Sequence, residues 1–225
     1  FIMLKNIEKI LYHGSSIVVE KPIYGYGKNT NDYGSGFYLT EEIELAKEWA
    51  CFKKVNGILN AYKLSFDNLK VLDLTNHSIL NWIAILVKYR VFDITTPQML
   101  KRKKWLLDNY YLNVDKYDVI KGYRADDSYF SFARGFLSNE IYLNQLSFAM
   151  HLGKLGEQIV LKSKKAFKNI KFIEYEIVNF NVYFDKRENR DKEARKEYVK
   201  ILEIEDNESK KIDDLMKEKN EKARN

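Results

Sequence analysis

The sequence predicts one α+β domain carrying a charged helical end. Three observations lead there. Short apolar runs of β-type residues lie near both ends of the chain, while segments of helical period occupy its middle. Tyr (16) and Phe (13) are abundant and Pro (2) and Gly (10) are scarce, which is the composition of a folded chain. At 225 residues the chain is long enough to bury a sizeable core.

Taken in order, residues 10–13 read as a strand that ends on His-Gly-Ser. Residues 25–36, rich in Gly, Asn and Tyr, form a loop, and 36–39 a second strand. Thr40 has N-cap chemistry, Glu41 and Glu42 suit a helix N-terminus, and Ile43, Ala46 and Ala50 make an apolar stripe. A helix is therefore expected over 41–53. Residues 58–66 and 70–74 are strands joined across an Asp-Asn turn. Helices follow over 78–89 and 97–111, the second with Thr96 as cap and Pro97 at its first position. A strand at 117–121 precedes helices over 126–136 and 139–152. Strands at 157–163 and 171–182 close the core, with early and late strands sharing a sheet. Residues 1–185 form the domain, and 186–225, dense in charge, form a helical extension.

The composition also excludes several classes. A lone cysteine, Cys51, rules out an internal disulfide and suits a reducing compartment. His77 and His151 have no partners at ligand spacing, so no metal site is expected. No apolar run approaches the roughly 18 residues that span a bilayer, and the N-terminus shows no signal-peptide core. A cytoplasmic location is the expectation, with Met3 as the natural start. The net charge of +6 favours phosphate-bearing partners, yet no dense basic stripe interleaves with aromatics. The glycines form neither a dinucleotide fingerprint nor a phosphate-binding P-loop.

Two segments stand out: Leu11-Tyr12-His13-Gly14-Ser15-Ser16 and Gly34-Ser35-Gly36-Phe37-Tyr38-Leu39-Thr40. Each sets a polar or aromatic side chain beside small residues that let the backbone approach a ligand. Singly, His13, Tyr38, Trp49 and Glu157 have bland readings as a satisfied strand-end histidine, core aromatics and an edge charge. Their joint order favours a site. With Gly156-Glu157-Gln158-Ile159-Val160-Leu161, the segments resemble the three ordered motifs of the His-Tyr-Glu class of ADP-ribosyltransferases. That class includes diphtheria-toxin-like and poly(ADP-ribose)-polymerase-like domains. More closely, the chain resembles a bacterial family of this fold in which an Asp-Val-Ile-Lys-Gly-Tyr-Arg-Ala-Asp-Asp block, here 118–127, separates the second and third motifs. The resemblance spans about residues 10–172. It implies an ADP-ribosyltransferase-like split β-sheet core with inserted helices, NAD as substrate and no metal.

By that resemblance, His13 hydrogen-bonds a ribose hydroxyl, Gly14 offers backbone N–H and C=O to the nicotinamide amide, and Tyr38 stacks on the cationic ring. Trp49 closes the sandwich where Tyr is usual. Ala46 stands where some members have a serine that bonds the carboxamide, a contact that Ser15 or Thr40 would have to supply. Glu157 would orient a ribose hydroxyl and stabilise the oxocarbenium ion. Neighbours on a strand face opposite ways, so either Glu157 or Gln158 enters the site, and the following Ile-Val-Leu run favours Glu157. Asp127 is a further pocket candidate; its other role would be to cap the next helix. The implied activity is NAD-dependent mono-ADP-ribosylation of a macromolecular acceptor, a protein favoured over a nucleic acid, by a toxin or defence component with a cognate neutralising protein. NAD hydrolysis, nucleic-acid modification and an inactive NAD-binding module stand as alternatives.

Overall fold

The computed structural model describes residues 7–125, 127–149, 156–203 and 209–222, and for 127–130 the backbone alone. Strands β1 (Glu8–Ser15), β2 (Phe37–Leu39), β3 (Gly57–Ser65), β4 (Val71–Asp73), β5 (Val119–Tyr123), β6 (Glu157–Leu161) and β7 (Ile170–Val178) divide between two sheets. The first is antiparallel in the order β1-β3-β7. The second runs β2-β6-β5-β4, with only the β4–β5 pair parallel. Early and late strands do pair, as expected, but they do so in two sheets. Two backbone hydrogen bonds between Tyr12 and Thr40, at 2.8 and 3.0 Å, stitch β1 to the end of β2.

The layers follow from which faces are apolar. Leu11, Tyr62 and Leu64 of the first sheet meet Leu39, Val119, Ile159 and Leu161 of the second in a core between the sheets. Part of the outer face of the first sheet is covered by α1 (Ile43–Ala50), whose Ala46 and Ala50 sit against Leu59. The outer face of the second carries Ile120 and Val160 beneath a helical layer. That layer comprises α2 (Ile79–Tyr89), α3 (Pro97–Tyr110), α4 (Asp127–Leu137) and α5 (Leu143–Ala149). A short helix α6 (Lys164–Lys168) follows β6, and α7 (Phe180–Leu202) and α8 (Ile212–Lys222) end the described chain.

Local chemistry sets most boundaries. Ser78 accepts a hydrogen bond from Leu80 N to start α2, and Thr96 accepts from Met99 N with Pro97 leading α3. Helix α1 starts later than expected, at Ile43. Thr40 is held to β1 by its own N–H and C=O, so the chain cannot turn helical there. Its Oγ1 still accepts from Glu42 N. Strand β7 stops at Val178 because Asn179 caps α7, accepting from Asn181 N. Helix α6, absent from the sequence reading, is capped by Ser163, which accepts from Ala166 N.

The extension is helical as expected, but the expected domain boundary at 185 falls inside α7. Ala194 is buried on α7, and Ile212 and Met216 of α8 join the main core. Arg102 Nε and Nη2 fork onto the Asp213 carboxylate at 2.8 and 2.7 Å. The charge density of this segment hides its few anchoring apolar residues.

Candidate functional site

The site is built where β1 and β2 part. Tyr12 turns its N–H and C=O away from β3 to bond Thr40. Backbone groups alternate sides along a strand, so Gly14, two residues on, turns its N–H and C=O the same way, beyond the end of the stitch. The need for glycine here has a second cause. A Cβ on Gly14 would lie 2.0 Å from Ala46 O and 2.6 Å from Ala50 N, because α1 crosses β1 at this residue. His13 Nδ1 lies 2.8 Å from Tyr38 O. A carbonyl only accepts, so Nδ1 carries the hydrogen and Nε2 is an acceptor. Burial pushes the imidazole pKa down, outweighing the opposite pull of that hydrogen bond, and keeps the ring neutral.

Asn60, fully buried on β3, shapes the chain after β1. Its Nδ2 donates to Ser15 Oγ (2.9 Å) and His13 O (3.2 Å), and its Oδ1 accepts from Val19 N at 2.8 Å. Lys162 does the same for the loop before β2, donating to Tyr33 O and Ser35 O at 2.7 Å each. Tyr38 Oη donates to Gly34 O (2.6 Å) and accepts from Tyr33 N (3.1 Å), so the ring is fixed at both ends.

On β6 the alternation resolves in favour of Gln158. Tyr38 pairs with Val160, and Val160 faces the helical layer. Gln158 shares that face and lines the cleft. Its Nε2 donates to Asp32 Oδ2 (2.9 Å) and Tyr123 O (3.1 Å), which leaves Oε1 as its acceptor. Tyr123 O also receives Tyr33 Oη (2.6 Å) and Trp82 Nε1 (3.1 Å), a buried network that fixes the amide. Asp32 in turn accepts from Ala125 N at 3.0 Å and stands 3.4 Å from Arg90 Nη1. Burial nevertheless raises its pKa above the usual carboxylate value.

The expectation for Glu157 is therefore corrected. Its side chain lies on the opposite face, bonded to Lys121 Nζ at 2.7 Å, and is not among the cleft-lining residues. Strand β6 is buried on both faces, so Ile-Val-Leu carries no alternation from which to choose. Thr40 is corrected too. It lies outside the cleft lining, fully buried, and its Oγ1 donates to Glu157 O at 3.1 Å. Ser15 does line the cleft, but its hydroxyl hydrogen goes to Ile17 O at 2.6 Å. Neither hydroxyl has a hydrogen left to stand in for the serine absent at Ala46. The side chain of Asp127 and all of Asp126 and His151 lie outside the described residues.

His13, Gly14, Ser15, Tyr38, Trp49 and Gln158 line one cleft of about 1320 Å³. That exceeds the roughly 300–1,000 Å³ typical of drug-sized sites. Trp49 carries the Arg124 guanidinium 4.2 Å from its ring centroid, and its Nε1 is buried with no hydrogen-bond partner among the described residues. Lys21, Lys28, Arg90, Arg124 and Arg187 line the cleft against two acidic residues, Glu20 and Asp32. Among the described residues, no group of three His, Cys, Asp or Glu side chains could hold a metal ion, and no helix is long and apolar enough to cross a membrane.

Residues 9–172 match the family described as protein of unknown function, DUF3990. The chain belongs to the DUF3990 family. No curated protein and no solved structure matches it. The DUF3990 segment runs from β1 into β7 and contains every cleft residue named above except Arg187, which lies on α7. Asp32, Arg90 and Arg187 escaped the sequence reading. Asp32 sits in a loop of turn-forming residues, and its partners Ala125 and Gln158 are 93 and 126 positions away.

Proposed function

We propose that this protein is an NAD-dependent ADP-ribosyltransferase that passes ADP-ribose to a macromolecular acceptor, built on the split-sheet core of that superfamily. The observation that carries the reading is the pairing on β1 of a neutral imidazole, with Nε2 as acceptor, and the outward N–H and C=O of Gly14. A ribose hydroxyl suits the first, and a carboxamide, which needs one donor and one acceptor, suits the second. Two sheets joined at the Tyr12–Thr40 stitch, with a cleft where they part, support the fold assignment.

Breaking the bond between nicotinamide and ribose leaves positive charge on the anomeric carbon. The Gln158 carbonyl oxygen, backed by Asp32, supplies negative potential in place of a carboxylate. The acceptor's nucleophile attacks that carbon and gives up its proton, and nicotinamide departs neutral. Tyr38, whose pKa burial drives far up, stays protonated and serves as a ring to stack upon.

A second reading, an NAD-binding module without turnover, is favoured by one observation: Glu157 points away from the cleft. Incubation with labelled NAD and cell extract, with calorimetry alongside, separates these two readings and a third, NAD hydrolysis. Labelled macromolecules support transfer, and free ADP-ribose alone supports hydrolysis. Binding without either product supports the module, and absence of NAD binding overturns all three.

A further inference from the structure

The charged helix α7 lies outside the matched family segment, yet one of its side chains reaches the cleft. Its position is fixed by contacts with α1. Arg190 Nε donates to Glu48 Oε2 at 3.0 Å, and Arg190 Nη2 reaches the same oxygen, with Glu48 only 7 % exposed. Lys186 Nζ and Tyr183 Oη both bond Glu44, at 3.0 and 3.2 Å. Those two carboxylates are the acidic groups that α1 turns toward α7, and both are engaged. Arg187, one turn before Arg190, is half-buried and lines the cleft, and its side chain makes no hydrogen bond or ion pair with any described residue.

A guanidinium held on a braced helix, facing a cleft and without an anionic partner among the described residues, is suited to a ligand's phosphate. Of the other cleft arginines, Arg90 is drawn to Asp32 and Arg124 lies on Trp49, so each has a second duty. The Arg187 side chain, like those of Lys21 and Lys28, has no partner among the described residues, and of these three only Arg187 offers a planar fork of donors. We propose that Arg187 binds the diphosphate of a nucleotide in this cleft, so that the extension completes the site. The inference rests on the cleft being the ligand site of the proposed reaction.

The test is calorimetry of the full chain with NAD, ADP and inorganic pyrophosphate at several salt concentrations. Arg187→Gln is expected to weaken NAD and ADP between about tenfold and a hundredfold and to flatten the dependence of affinity on salt. Arg187→Lys should recover part of the affinity, and the thermal midpoint should barely move, because no hydrogen bond or ion pair to a described residue is lost. Equal binding of NAD by wild type and Arg187→Gln would overturn the diphosphate role while leaving the NAD reading intact. Arg187-dependent binding of ADP or pyrophosphate without NAD binding would uphold the subsite and remove the NAD reading. Failure of the wild type to bind any of the three would remove both.

Discussion

Gln158 and Glu157 are neighbours whose side chains meet different surroundings, and substitution separates their roles. Glu157→Ala removes an ion pair with Lys121 in which both side chains are partly exposed. It is expected to change stability by less than about 1 kcal/mol and to leave NAD turnover intact. Gln158→Ala removes the acceptor inside the cleft and strips Asp32 of a donor. Turnover of labelled NAD should fall by at least about tenfold in that variant. The reverse pattern would restore Glu157 to the site. His13 gives the pH test. Burial lowers its pKa beneath the ordinary 6.5, so the folded state resists the proton that the unfolded state accepts. The stabilising contribution is complete above that value and is lost as pH falls below it. Affinity for NAD should be flat above 6.5 and weaken only on the acid side, as Nε2 is protonated. An NMR titration placing the imidazole pKa above 6.5 would contradict this.

At the scale of elements, the junction of β1 with α1 organises the cleft. Gly14 is the closest approach, where an added Cβ meets backbone rather than a movable side chain. Gly14→Ala must lift α1 off the strand and carry Trp49 with it. Destabilisation of about 3 kcal/mol or more is expected, at the upper end of overpacking effects, read from the shift in denaturant midpoint. From sequence alone this glycine stands out for another reason, ligand approach, since nothing local reveals which helix will cross a strand. Caps were more legible. Ser78, Thr96 and Pro97 act within three residues of themselves, so α2 and α3 begin where sequence alone put them. Thr40 shows the converse: its cap chemistry is real, but a bond to β1 claims its backbone and delays α1.

Across the whole molecule, the charged extension is part of the domain and not an appendage. Ile212 is fully buried in the main core, beside a bidentate Arg102–Asp213 pair. Ile212→Ala is expected to destabilise the entire protein by about 2–5 kcal/mol, in a single cooperative unfolding transition. A separate early transition for the extension would argue that it folds on its own. The same long-range closure assembles the cleft. The loop holding Asp32, the end of β5, the start of β6 and a turn of α7 meet there, and no two of them are close in sequence.

What the chain determined by itself through near neighbours was the α+β class, the strands and the capped helices, whereas His13, Gly14, Tyr38 and Trp49 were grouped into one cleft by the family resemblance of their motifs. Periodicity, caps and small-residue motifs are local signals, and they survive folding. Only the tertiary structure decided that Gln158 rather than Glu157 faces inward, that Asp32 stands behind it, and that α7 lends an arginine. Those choices depend on which strand pairs with β6 and which helix covers α1, and such pairings are settled by the burial of whole faces rather than by any residue's neighbours.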